Sequence, residues 1–518
     1  MRYPINIQAF ETIREGGYVY VDKTDLVYDL AQEHVCLLSR PPKFGKSLLI
    51  STLEAYFLGR RELFAGLKID ELEHDWDVYP VFHMDFSNVD FTKPDALNNI
   101  LNGYLTEWEA IYGSDPIRKT LGDRFRYVIE QARNKTGKHS VVLIDEYDKP
   151  MLDVLGGDLE KINRNILNGF LGTFKAADAS IRFVLLTGVT NFSLATSLSG
   201  FNQAHILSMH SHYDAICGIT EDELHTVFAE PIREMAAKFG YDEEGMKAVL
   251  KKQYGGYHFS SSTPDIYNPF SIINAFSWMK LENYWYRSAI PTYLARLVDT
   301  HNINMQKLAG RDYDSQYFMY YYADIQDPLS ILYQIGYLTI KDYELRYSAY
   351  TLDFPNDEVR SGLLTLTANG YFNVSEADIS SWILGLNDML RRCDLDEVRD
   401  AFTSFLASIP YEANKDVRAL NFETHFQYTF YLINRLLGCY TTLIEKQNSK
   451  GKADIIIESD NDIYIFEFKV DGTADEALKQ IEDKQYALPY LTDPRPLHKI
   501  GVTISSQTRT VAEWKVAC

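Results

Sequence analysis

Two groups of residues in this chain have the types and the spacing to do chemistry. The first begins at RPPKFGKSL, where Gly45, Lys46 and Ser47 follow the apolar run VCLLS (Val35–Ser39) and open a helical pattern, SLLISTLEAYFLG. Glycine lets the main chain approach an anionic phosphate. Lysine brings charge to the β and γ phosphates, serine offers a hydroxyl to Mg²⁺, and the start of a helix adds amide donors. The candidate nucleotide contacts run through Lys43, Phe44, Gly45, Lys46, Ser47 and Leu48. The G-x-x-x-x-G-K-[ST] pattern is incomplete, because Arg40 stands at its first glycine. Farther on, VVLIDEYD puts two acids, Asp145 and Glu146, after four apolar residues, the Walker B arrangement. Asp145 would hold a Mg²⁺ hydration shell, and Glu146 would orient and deprotonate an attacking water. The next apolar run, FVLLTG, carries Thr187 at its end, with Asn191 just beyond, where a polar sensor of the γ-phosphate belongs. A surface lysine in an αβ turn, an acidic turn or a plain strand-end threonine explains each element singly. Their order along the chain favours a Mg²⁺–ATP site.

The second group lies near the C-terminus, in GKADIIIE and IYIFEFKV. Alternate residues of a strand share a face, so Glu467 and Lys469 point one way and Phe466 and Phe468 the other. A tight turn at SDND joins this strand to the one carrying Asp454, so Asp454 can sit beside Glu467. Glu423, on the preceding helical stretch, is a third carboxylate. Carboxylates converging near a lysine suit Mg²⁺ or Mn²⁺, which prefer hard oxygen ligands. Lys469 would then orient, or help deprotonate, a metal-bound water facing a phosphodiester. A cross-face charge pair on a solvated strand is the plainer alternative.

The elements that must position these residues follow from hydrophobic periodicity. VCLLS, VFHMDF, VVLID, FVLLTG and AHILSM are near-continuous apolar runs separated by helical patterns, which predicts a parallel sheet buried on both faces. From about Glu221 the pattern turns helical, with EDELHTVFAEPIREMAAKFG as one helix. SILYQIGYLTIKDYELRYSAYTLDF reads as a short helix and a β-hairpin turning near Asp342, an outline shared by a winged helix and by a bare hairpin packed on helices. Residues Ser380 to Ile409 read as a helical connector. NFETHFQYTFYLINRLLG places Phe422, Phe426, Phe430, Ile433 and Leu437 on one helical stripe. TLIEK, ADIIIE and IYIFEFK then read as strands, followed by the helix DEALKQIEDKQYA and the strand KIGVTIS. The expected division is 1–220, 221–410 and 411–518.

Composition bounds the possibilities. The 518 residues carry a net charge of −21, which argues against a basic coat for non-specific nucleic-acid binding. Most of that acidity lies upstream, since 411–518 holds 16 acidic and 13 basic residues. Five scattered cysteines with no C-x-x-C pair point to a reducing, cytoplasmic setting. No apolar run has the length to span a bilayer. His205, His210 and His212 read as surface or core histidines. The tyrosine run from Tyr317 to Asp324 reads as core.

RPPKFGKSLLISTLEAYF, LIDEYDKP, LLTGVTNFS and GGYHFS…YNPFS resemble the bacterial AAA-ATPase-like family commonly fused to a C-terminal nuclease-type domain. The similarity starts near Tyr3 and runs through YNPFSI and QIGYLTI. In that family the loop usually reads RPRRFGKT, so Arg40 belongs to its pattern. The spacing D…E-x-K after a helical Glu resembles the PD-(D/E)XK nuclease superfamily, over about Asn421 to Ile504. GKAD is similar to the GRAD segment of the fused domain. ALKQIEDKQYA carries over Gln480 as a phosphate or water contact, with Lys484 and Tyr486 behind it. The resemblance implies an α/β chain: an N-terminal P-loop (AAA/ASCE-like) parallel sheet with helices on both faces, a helical middle region with a hairpin, and a C-terminal PD-(D/E)XK-type α/β domain. It also implies ATP, Mg²⁺ (or Mn²⁺ at the C-terminal site), DNA or RNA as partner, no membrane, and room for an oligomer. It assigns no arginine finger; Arg60 and Arg182 are not assigned that role. The function expected is ATP binding and hydrolysis coupled to a metal-dependent nuclease. The alternative is a nucleotide-dependent switch or signalling ATPase whose nuclease-like domain is non-catalytic and docks a partner.

Overall fold

The structure, a computed structural model, describes residues 1–191, 204–261, 264–289, 308–319, 328–372, 374–408 and 461–517. Between 409 and 460 it describes 429, 432–433, 436–437, 442–443, 447–448, 451–452 and 455–459. Two compact units meet in sequence at Val359 and Arg360.

The first unit is built on a parallel sheet of β1 (Val35–Ser39), β2 (Val81–Asp85), β3 (Ser140–Asp145), β4 (Ile181–Gly188) and β5 (His205–Ile206), in the order β2-β3-β4-β1-β5. Every residue of β3 is buried, as a central strand covered on both faces requires. AHILSM was expected to run longer than the two residues of β5. Among the described residues it lies at the sheet edge and pairs with β1 alone. The Leu207 N–H still reaches the Leu37 carbonyl, but Ser208 turns its hydroxyl to Ser39.

The helix expected from EDELHTVFAEPIREMAAKFG is two helices, Glu221–Val227 and Ala229–Phe239, broken at Phe228. Pro231 is the cause. It has no N–H for the Val227 carbonyl, and its ring crowds that oxygen. The β6 (Ile219–Thr220) and β7 (Ile266–Tyr267) pair precedes the helix Pro269–Trp278. The hairpin is present as β9 (Thr339–Glu344) and β10 (Ala349–Asp353), after the helix Leu329–Gln334. Its turn falls after Glu344 rather than near Asp342, with Ser348 at φ 50°. A third strand, β8 (Arg311–Asp314), pairs with β10, giving the order β8-β10-β9.

The second unit holds the helices Glu376–Arg391 and Leu395–Ser408 and a mixed sheet. Its strands are β11 (Thr442–Leu443), β14 (Ile455–Glu458), β15 (Ile463–Val470), β16 (Leu497–Ile504) and β17 (Val511–Ala517), in the order β11-β14-β15-β16-β17. A small pair, β12 (Gln447–Asn448) with β13 (Gly451–Lys452), stands apart. β14 and β15 are antiparallel across the expected tight turn, whereas β15 and β16 are parallel and joined through the helix Ala474–Asp483. That helix lies close on β16 because Gly501 has no Cβ to strike the Ala474 carbonyl. β17 was not anticipated: VAEWKVA lacks clean alternation, and the strand is half-exposed along its length. Most of the Phe422–Leu437 stripe lies outside the described residues; Ile433 and Leu437 are buried.

Candidate functional site

The loop between β1 and the helix Lys46–Phe57 turns at Gly45, whose φ of 97° lies in the left-handed region that favours glycine. Lys46, only 6% exposed, donates from Nζ to the carbonyls of Arg40 (2.9 Å) and Pro41 (3.1 Å). A buried cation is thus held by neutral oxygens of its own loop. Arg40 is not solvent-facing. Its guanidinium donates to the carbonyls of Ser39, Ser208 and Tyr213 and lies 4.1 Å from the centroid of the Phe259 ring. It clamps the start of the loop to the chain beyond β5.

Across from the loop, β3 ends at Asp145. Its Oδ1 accepts from the Thr187 hydroxyl at 2.5 Å and from the Glu146 N–H at 3.0 Å. Glu146 has φ 52°, an unusual backbone for a non-glycine residue. Burial pushes its carboxyl up to about 7, against the pull of Lys46 and with help from Asp145 and Asp148. Asp148 is itself buried and caps the turn after β4, accepting from the N–H groups of Val189 (2.9 Å) and Thr190 (2.6 Å). Lys43, Lys46, Ser47, Leu48 and Glu146 line one cleft of about 450 Å³, a size suited to a small-molecule ligand. Its other wall is apolar, from Pro4, Ile5, Ile7, Ile13, Phe270 and Ile273. The donor set fits a magnesium nucleotide: a lysine and a helix start for phosphates, a hydroxyl and carboxylates for the ion, and an apolar wall for a base.

In the second unit Glu467 is 1% exposed on β15. Lys469 Nζ lies 3.5 Å from Glu467 Oε1 and donates to Gln480 Oε1 at 2.6 Å; the Gln480 amide donates to Glu467 Oε1. Phe466 and Phe468 stack on the opposite face. The helix Ala474–Asp483 therefore delivers Gln480 onto the face that β15 reserves for Glu467 and Lys469. Hard carboxylate oxygens beside a lysine suit a divalent ion and a polarised water. Glu423 and Asp454 lie outside the described residues. Asp454 directly precedes β14, whose Ile455 pairs with Phe466, the residue before Glu467.

Residues 4–198 match the family described as "Predicted AAA-ATPase", and residues 421–514 match the PD-(D/E)XK nuclease superfamily. Over 525 aligned residues the chain is 32% identical to an Azotobacter chroococcum mcd 1 protein described as an uncharacterized protein in the vnfD 5′ region. That alignment covers 99% of this chain and 98% of the relative. The chain belongs to the AAA-ATPase-like family with a C-terminal PD-(D/E)XK domain. Such domains use nucleotide and divalent metal.

Within this AAA-ATPase-like protein, Lys46, Ser47 and Glu146 line the cleft, and Asp145, next to Glu146, is bonded to Thr187. Other candidates lie elsewhere. The Phe44 ring is buried against Tyr257 and Phe259 rather than in the cleft. Lys43 does line the cleft, but its Nζ sits 3.9 Å above the Phe270 ring of the cleft's apolar wall. Asn191 is tied to Gln334 and Met319. Arg60 pairs with Glu11 and Glu62, and Arg182 binds the Glu33 carbonyl and Gln32. Tyr486 is in the core and Lys484 is exposed. Tyr317 is 59% exposed, contrary to its expected place in a core, while Phe318 is buried. His205 and His212 meet Glu33 and Asp29, acids that a search by sequence spacing could not bring near. Sequence reasoning missed Asp148, Lys149 and the Pro4–Gln8 wall as parts of the site. They lie within or beside the segments that carry the family likeness. Among the described residues no helix is long and apolar enough to cross a membrane.

Proposed function

We propose that this cytoplasmic protein binds and hydrolyses Mg²⁺–ATP in the cleft around Lys46 and Glu146, and that its C-terminal domain cleaves DNA or RNA phosphodiesters with Mg²⁺ or Mn²⁺. In this reading 1–220 carries the ATPase core, 221–410 a helical and hairpin region, and 411–518 the nuclease-type domain. The observation that supports it most is that Lys46, at the start of a helix, faces the same cleft as Glu146, which follows Asp145 at the end of β3, with burial raising the Glu146 carboxyl to about 7.

Lys46 leaves the carbonyls of Arg40 and Pro41 and turns its ammonium to the β and γ phosphates. Main-chain N–H groups from Gly45 to Leu48 donate to the phosphate oxygens. Ser47 and Asp145 would hold Mg²⁺, which when bound neutralises phosphate charge. Thr187 keeps the Asp145 carboxylate oriented through its 2.5 Å bond. Glu146, with a carboxyl near pKa 7, takes the proton of the attacking water. The apolar wall at Ile5, Phe270 and Ile273 receives the base. In the second unit, Glu423, Asp454 and Glu467 would hold the divalent ion, which supplies Lewis acidity. Lys469 orients the water and helps remove its proton, and Gln480 fixes Glu467 and Lys469 and meets a phosphate oxygen.

Phosphate release and cleavage of several DNA and RNA substrates, with and without ATP and with Mg²⁺ or Mn²⁺, test this reading. The expected result is ATP turnover lost in Glu146→Gln and metal-dependent cleavage lost in Glu467→Gln. ATP turnover with no cleavage under either metal would favour a docking role for the C-terminal domain. ATP binding without turnover would favour a switch.

A further inference from the structure

Away from both sites, three residues of different elements meet in the second unit. Cys393 lies just past the helix Glu376–Arg391, Asp462 ends the turn before β15, and His498 is on β16. Cys393 Sγ is 3.4 Å from His498 Nε2, and Asp462 Oδ1 is 2.9 Å from the same nitrogen. The three ligand atoms all lie within 4.8 Å of one another. The Asp462 and His498 side chains are each 13% exposed.

A hydrogen-bonded triad accounts poorly for this arrangement. A relay needs the carboxylate and the thiol on opposite ring nitrogens, whereas here both approach Nε2. One imidazole nitrogen has a single in-plane lone pair or N–H and serves one such partner well. A cation among the three atoms serves them all. The backbone points the same way. Cys393 adopts φ 56°, at a helix end where glycine or asparagine is the usual residue. That conformation aims its thiol at the imidazole. The Tyr464 ring stacks on His498 at 5.1 Å and 19°, and its hydroxyl donates to the Leu390 carbonyl at 2.6 Å, which fixes both the ring plane and the helix end.

We propose that Cys393, Asp462 and His498 form a Zn²⁺ site with a fourth position for water. A thiolate and an imidazole select a borderline-soft ion over Mg²⁺. Tetrahedral zinc with ordinary bond lengths sets neighbouring ligands roughly 3.4–3.6 Å apart. The thiol–imidazole distance already matches, and the carboxylate must withdraw by about half an ångström as the ion replaces the hydrogen bond. The thiol proton, and any proton on Nε2, passes to solvent. The site is separate from Glu467, five residues or roughly 16 Å along β15 from Asp462.

The full-length chain, stripped with chelator, is titrated with Co²⁺ and then with Zn²⁺. A thiolate-to-cobalt charge-transfer band that Zn²⁺ bleaches is expected, together with one Zn²⁺ retained per chain after gel filtration. Cys393→Ser should abolish the band, and His498→Gln should weaken Zn²⁺ binding by about tenfold or more. Glu467→Gln should leave the band intact. Absence of a thiolate band in the wild-type chain overturns the proposal without recourse to any variant. A band that persists in a folded Cys393→Ser protein overturns it as well, by assigning the metal to another cysteine.

Discussion

Burial holds Glu146 at a cost that its amide analogue does not carry. The carboxyl rises from 4.5 in an unfolded chain to about 7 in the folded one. Such a shift penalises folding as pH climbs: below 4.5 both states hold the proton, and above 7 both have lost it, with the folded state bearing the charge in a poor solvent. At 1.36 kcal/mol per unit, and allowing for the partial exposure of the side chain, the full penalty is about 2–3 kcal/mol. In metal- and nucleotide-free protein, Glu146→Gln should therefore exceed wild type by under ~1 kcal/mol at pH 5 and by about 2–3 kcal/mol at pH 8. For a unit of roughly 350 residues the larger figure raises Tm by about 3–4 °C. Differential scanning calorimetry at the two pH values measures it. An equal gap at pH 5 and pH 8, or a variant less stable at pH 8, would refute the reasoning that Glu146 is a buried, desolvated carboxyl. The same group should act as the hydrolytic base. The wild-type rate then rises with pH through about 7, and the variant binds ATP but turns it over about 10²–10⁴ times more slowly.

Lys46→Ala should weaken ATP binding by about 10- to 100-fold, the loss of charge-assisted phosphate contacts, with the far-UV spectrum unchanged; calorimetric titration reads it. Lys469→Ala should retain divalent-ion binding while losing most of the cleavage rate, whereas Glu467→Gln loses both, as metal-binding isotherms run beside a nuclease assay would separate. Arg40→Ala strands three buried carbonyls and should cost about 3 kcal/mol or more in denaturant unfolding. Arg40→Lys should rescue it poorly, since one ammonium cannot reproduce the guanidinium fork.

Much of this protein was legible as local pattern. The apolar runs from Val35 to Gly188 announced a parallel sheet because a strand covered on both faces needs apolar residues without alternation. Gly45, Lys46 and Ser47 are neighbours in the chain, so their joint placement follows from one turn and one helix start. Glu467 and Lys469 share a face through the two-residue period of a strand. Even the break at Phe228 was encoded locally, in Pro231, and was overlooked. Tertiary structure alone decided what lies beside what. Arg40 stands where a phosphate loop ordinarily has glycine, and its partners Ser208 and Tyr213 lie some 170 residues away. The Thr187 hydroxyl meets Asp145 because β3 and β4 are adjacent in the sheet order. Gln480 reaches Glu467 and Lys469 because a crossover helix lies over the strands beside them. Cys393 meets His498 across 105 positions with no pattern to join them. Steric preferences and hydrophobic period act over a few residues and leave a signature in the sequence. A contact between distant segments depends on how the whole chain closes on itself, and no short stretch records that closure.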